Sequence, residues 1–231
     1  MPSRRFVVLC VLLAGLIAGW LWRRNRASQH SPEQLALPAI SKQPVTFASR
    51  TFDPTAPPAD MPPLASGEDA ECDSDFQSHA TVDGESQQVD STHATVTITQ
   101  IKMTLQLNVT IWVPAGVAPH VIEHEEGHRR ISEYYYQTAD QLAARIAATY
   151  MGKQVEISGT DLNAESSNIL LKIATEITDE YAKELSPGPT QQLYDSITDH
   201  SRNEVVATDA VTAAIRNIKI ASIQPATNLG N

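Results

Sequence analysis

The chain has 231 residues, 42% of them hydrophobic, and a formal net charge of −10, enough apolar material for one or two folded domains. Two cysteines exclude a disulfide scaffold and a cysteine-based zinc finger, and ten glycines exclude a collagen-like chain. Five of the seventeen basic residues (Arg4, Arg5, Arg23, Arg24 and Arg26) precede any acidic one, so the rest carries 12 basic against 27 acidic residues. A body that acidic repels phosphates, which excludes nucleic acid as the main partner.

Residues 6–22 read FVVLCVLLAGLIAGWLW, 17 positions without a charge between arginine clusters. Residues 1–26 are expected to form a membrane anchor, with tryptophans at the interface. The alternative is a cleaved signal peptide, but no small-x-small cleavage pattern follows Trp22. Either places the remainder outside the membrane in the cell envelope: periplasmic on an inner-membrane anchor, or secreted. Residues 27–75 hold eight of the fourteen prolines, between Pro32 and Pro63, and show no apolar periodicity. A Pro-rich extended linker is the expectation.

Residues 102–113, KMTLQLNVTIWV, alternate strictly, with Met103, Leu105, Leu107, Val109, Ile111 and Val113 on one face. That is a half-buried strand. Ala94, Val96 and Ile98 suggest a shorter strand before it, joined by a tight connection near 100–102 into an antiparallel hairpin. A long helix is expected over 118–150, with Val121, His124, His128, Ile131, Tyr135, Leu142 and Ile146 on one stripe. A short strand over 154–157 follows, then a helix over 163–185 and a third over 190–218. That third helix would carry Leu193, Ile197, His200, Glu204, Val211 and Ile215 on its inward face. Residues 224–231 read as a tail.

Within the long helix stands His124-Glu125-Glu126-Gly127-His128, an HExxH. Residues i and i+4 share a helix face, so both imidazoles can reach one metal ion, and the glutamate beside the first can serve as a base. The histidines fall on the apolar stripe, where unliganded imidazoles are poorly satisfied. Gly127 costs a helix interior about 1 kcal/mol against alanine, which points to a close approach of another group. Two histidines leave a catalytic zinc one protein ligand short. His200 is the leading candidate for the third, with Glu204 next and Asp161, Glu165, Glu176 and Glu180 behind it.

HEEGHRRIS (124–132) followed by YDSITDHS (194–201) resembles the bacterial domain-of-unknown-function family nine-two-two, predicted secreted zinc-dependent proteases with HExGH and then YDxxTxHG. Tyr194, Asp195, Thr198 and His200 match, and Ser201 stands where that family usually has glycine. The resemblance implies a zincin-like active site. It gives Tyr194 a catalytic part as transition-state donor, or Tyr194 and Asp195 a supporting part behind the ligands.

The expectation is therefore an α+β, zincin-like domain over residues 76–223, with N-terminal antiparallel strands packed on the HExxH helix and two further helices. Its function would be zinc-dependent hydrolysis of peptide bonds in a peptide or protein substrate. Zn²⁺ would be held by His124, His128 and His200, with Glu125 and Tyr194 catalytic. One alternative is a zinc-bound, non-hydrolytic interaction domain of the envelope, and another is a metal-free helical binding module.

Overall fold

The computed structural model describes residues 37–64 and 67–223. The expected anchor and the C-terminal tail lie outside the described residues. Among the described residues no helix is long and apolar enough to cross a membrane.

The alternating run belongs to one uninterrupted strand, β4 (His93–Pro114), 22 residues long. The hairpin expected near 100–102 does not form. Buried positions sit on even numbers through Ala94, Val96 and Ile98, then on odd numbers from Ile101 through Met103, Leu105, Leu107 and Val109. A parity change of that kind needs either a turn or one extra residue. The protein uses the extra residue. Against β3 (Glu71–Gln88), Asp83 pairs with Gln100 and Gly84 with Ile98, so Thr99 is bulged out while the ladder continues.

β3 runs antiparallel along one edge of β4, and three short strands lie in succession along the other. β5 (Gln154–Ser158) pairs antiparallel with residues 93–97. β1 (Ala39–Lys42) and β2 (Thr46–Phe52) pair parallel with residues 102–105 and 108–114. The architecture expected from the sequence therefore requires correction. The five-strand sheet is mixed rather than purely antiparallel, and its two parallel strands come from the segment expected to be a tether. Their sequences, AISK and TFASRTF, show little apolar alternation because both are short edge strands; Phe52 alone among them is buried.

One face of the sheet carries the helices, and the other keeps Lys102, Thr104, Gln106 and Asn108 exposed or half-exposed. Among the described residues five helices follow β4 where three were expected: α1 (Pro119–Gln137), α2 (Ala139–Ala148), α3 (Leu162–Leu185), α4 (Gly188–Thr198) and α5 (Ala207–Ile223). The first expected helix breaks at Thr138, whose φ of −107° and ψ of 13° leave the helical region. The third breaks after Thr198, where Asp199, His200 and Ser201 take φ of 46°, 50° and 66° in succession. Three consecutive non-glycine residues in the left-handed region cannot continue a right-handed helix. Met103, Leu105 and Leu107 meet Ala143 and Ile146 of α2 and Ile173, Ile177 and Tyr181 of α3 in the main core. A smaller cluster joins Ile131 of α1 to Tyr194 of α4 and to Ala210, Val211 and Ala214 of α5. That second cluster holds α4 against the HExxH face.

Candidate metal centre

α1 opens with Pro119 at its first turn, where a missing N–H costs nothing. It carries His124, Glu125 and His128. His124 is 6% exposed and Glu125 5%. Gly127, between them on the helix, lets α4 come close. A Cβ there would stand 2.0 Å from the Tyr194 hydroxyl oxygen and 2.4 Å from Cζ. The Tyr194 hydroxyl donates to the His124 carbonyl at 3.1 Å. Its ring stacks on the His124 imidazole, centroids 5.0 Å apart, and meets His128 edge-on at 4.9 Å. Both imidazoles are thereby fixed in orientation by one aromatic wall.

The residue after Tyr194 completes the constellation. Asp195 Oδ1 lies 2.8 Å from His128 Nε2 and 3.4 Å from His124 Nε2, and the two Nε2 atoms are 3.1 Å apart. His124, His128 and Asp195 form a group that could hold a metal ion. Donors each about 2.0–2.1 Å from a shared tetrahedral zinc stand roughly 3.3 Å from one another, so the observed triangle fits such an ion. Asp195 Oδ1 is buried, and the two imidazole nitrogens are the polar atoms beside it among the described residues.

A partner behind His128 sets its tautomer. His128 Nδ1 donates to Gln191 Oε1 at 2.7 Å, and the Gln191 amide nitrogen donates to Ser132 Oγ at 3.0 Å and the His128 carbonyl at 3.2 Å. The two donations fix which end of the Gln191 amide faces the ring. With the proton on Nδ1, the Nε2 lone pair is free for a metal. Ser132 Oγ in turn donates to Ser74 Oγ at 2.8 Å, tying α1 to β3 beside the site.

Burial raises the Glu125 carboxyl to about 8, with Glu71, Glu68 and Asp195 adding repulsion and His128 opposing. Burial also lifts Glu71 to about 6, helped by the charge of Glu68. Asp195 goes the other way: burial opposes its ionisation, but hydrogen bonds and charge from His124 and His128 outweigh it and hold the carboxyl well below the usual carboxylate range. Burial works against a charged His128, yet Asp195 and Glu125 raise its pKa above the ordinary imidazole value. Without a metal, Asp195 therefore favours the protonated form of His128. A bound cation takes the place of that proton.

Of the residues expected to serve, His124 and His128 meet at one point, Glu125 lines the groove beside them, and Tyr194 packs against both rings. Tyr194 is fully buried with its hydroxyl committed to the main chain, so it positions the histidines and cannot reach a substrate. His200 lies not on a helix stripe but in the left-handed turn after α4. Its Nδ1 is 3.3 Å from Glu68 Oε1 and 4.0 Å from Asp195 Oδ1, outside the three-donor group. The nearest carboxylate to the histidines is Asp195, which takes the place expected for His200. Glu204 is exposed between α4 and α5. Asp161 caps α3 by accepting from the Asn163 and Ala164 amides, Glu176 is exposed, and Glu180 accepts from the Tyr150 hydroxyl. Glu165 packs beside Gly159.

Asp195, Gln191, Glu68 and Glu71 were not assigned these positions from the sequence. The first two had a signal: Gln191, Tyr194, Asp195 and Thr198 recur at i, i+3, i+4 and i+7, one face of α4. Glu68 and Glu71 lie in and beside the Pro-rich segment and had none. No protein-family model, curated protein or solved structure matches the chain.

Proposed function

We propose that the protein is a zinc-dependent peptide hydrolase of the HExxH type, acting in the cell envelope with its N-terminal segment as anchor or export signal. The observation that carries this reading is Glu125. It is almost completely buried, makes no hydrogen bond or ion pair among the described residues, and lines a groove beside His128 and Asp195. A carboxylate kept in that state beside a three-donor group suits a general base. Zinc held by His124, His128 and Asp195 would supply Lewis-acid polarisation of a carbonyl and acidification of water.

In this reading Glu125 accepts a proton from the attacking water and delivers it to the leaving amine. Its raised proton affinity favours the first half of that cycle and keeps the proton at hand for the second. Gln191 holds His128 in the ligating tautomer, and Tyr194 holds both rings face and edge. The resemblance of HEEGHRRIS and YDSITDHS to the secreted zinc-protease family supports the same chemistry. Ser201, where that family usually has glycine, has φ of 66°, a conformation glycine takes without cost.

The test is zinc content together with cleavage of a peptide library, for the protein and for Glu125→Gln. Retained zinc with cleavage reduced by about 10²–10⁴-fold is the expected result for loss of a general base. A wild-type protein that holds stoichiometric zinc and cleaves nothing would instead be a non-hydrolytic metal-bound interaction domain.

A further inference from the structure

The groove beside the three-donor group has a volume of about 290 Å³, and apart from His128 its titratable lining is acidic, with Cys72 the one thiol. Four carboxylates face it, those of Glu68, Glu71, Glu125 and Asp195, and no lysine or arginine does. Asp195 is engaged with the histidines. Glu125 is nine-tenths buried and unpartnered. Glu71, half-buried at the start of β3, makes no side-chain hydrogen bond or ion pair among the described residues. Among the described residues Glu68 meets the His200 ring nitrogen, at 3.3 Å.

Carboxylates on an open surface need no partner, because water serves them. In a cleft walled by β3, α1 and α4 that service is incomplete and mutual repulsion is stronger. A divalent cation at the histidines would neutralise Asp195 and favour the ionised form of Glu125, which leaves Glu68 and Glu71 facing the groove. The arrangement lacks a cation, and a substrate can bring one. The acidic body of the chain would draw such a substrate in from a distance.

We propose that the groove recognises a positively charged group, a lysine or arginine side chain or the free amino terminus of a peptide, with Glu68 and Glu71 as its counter-ions. The proposal rests on the peptide-hydrolase reading for the bond that is cut, but not for the charge that is bound. Cys72 and Phe76 on one side and Pro187 on the other offer apolar wall to the methylenes of a long basic side chain.

Binding of four pentapeptides to the zinc-loaded full chain tests this, in the Glu125→Gln variant so that none is cut. Three are blocked at both ends and carry lysine, leucine or glutamate at the centre. The fourth is the leucine peptide with a free amino terminus. By fluorescence anisotropy the lysine peptide should bind at least about tenfold more tightly than the glutamate peptide, the effect of one partly desolvated ion pair. That margin should shrink as salt rises from 0.05 to 0.3 M. If the free-amine leucine peptide alone gains the advantage, the recognised cation is the amino terminus. Adding Glu68→Gln and Glu71→Gln should bring the charged peptides within about threefold of each other, and Glu71→Lys should reverse the preference. Circular dichroism and zinc content show that these near-isosteric variants remain folded; for any that does not, Glu68→Ser and Glu71→Ser replace it. Equal binding of all four peptides, or a preference that survives the double variant, overturns the proposal. Cleavage by the wild type without charge preference sinks this inference and leaves the hydrolase reading. Charge-selective binding without cleavage does the reverse.

Discussion

Gly127→Ala measures how closely α4 must press on the HExxH helix. The added methyl would begin 2.0 Å from the Tyr194 hydroxyl oxygen, 2.4 Å from Cζ and 3.0 Å from Cε1. Comfortable contact is about 3.5 Å, so the ring would have to retreat by roughly 1.5 Å. Its way back is closed by His124, His128 and the Ile131–Ala210–Ala214 cluster. Overpacking of this kind costs about 1–3 kcal/mol, and loss of the hydroxyl's bond to the His124 carbonyl adds about 1 kcal/mol. Alanine returns about 1 kcal/mol through helix propensity. The net loss should be about 1–3 kcal/mol in urea unfolding. Because Asp195 follows Tyr194 on α4, zinc affinity should fall in the same variant by about 10–100-fold, as for loss of a supporting contact. Tyr194→Leu removes the atoms the methyl strikes, so the double variant should be more stable than additivity allows by at least about 1 kcal/mol. A Gly127→Ala protein as stable as the wild type, with zinc affinity unchanged, would refute the close-approach argument.

Asp195→Ala should empty the metal site under conditions where His200→Ala leaves it largely filled, as read by metal analysis after dialysis; the opposite order would make His200 the third ligand. In the metal-free protein the Glu125 carboxyl sits at about 8 against 4.5 unfolded. The native state therefore keeps a proton that the unfolded chain has lost. Stability from this group is full below pH 4.5 and declines as pH rises towards 8, with a slope of at most about 1.4 kcal/mol per pH unit. Glu125→Gln should flatten that decline in chelator-treated samples, and parallel profiles would disprove it. A chain beginning at residue 66 should aggregate on light scattering, while one beginning at residue 36 stays monomeric, since β1 and β2 cover an edge of β4. Equal behaviour of the two would show that these strands are dispensable.

What the sequence made legible was local and periodic. Alternation in β4, the stripe of α3 and the HExxH spacing each encode their structure within a few residues. The two breaks in expected helices were not legible, because Thr138 and Asp199–Ser201 carry no glycine or proline. Those breaks depend on packing elsewhere in the chain. Misreading the second break is what placed His200 on an inward stripe and passed over Asp195. β1 and β2 escaped for a different reason. A parallel edge strand of four or seven residues is specified by its partner, and that partner lies about 60 positions later. The bulge at Thr99 shows the converse: the parity change was visible in the sequence, but a turn and an extra residue leave the same trace.

Among the described residues every other strand in the sheet pairs with β4 and with no other strand. During synthesis β1, β2 and β3 therefore emerge with nothing to pair with until β4 follows. At about 5–20 residues per second, the interval between β1 and the end of β4 is several seconds. For that time roughly the first hundred residues cannot acquire native strand pairing, however favourable their own sequence. The sparse apolar content of β1 and β2 suits that wait, since a polar, proline-interrupted stretch can stay hydrated without collapsing or self-associating. Once β4 is free, both of its edges can fill together, and sheet formation becomes a late, concerted event.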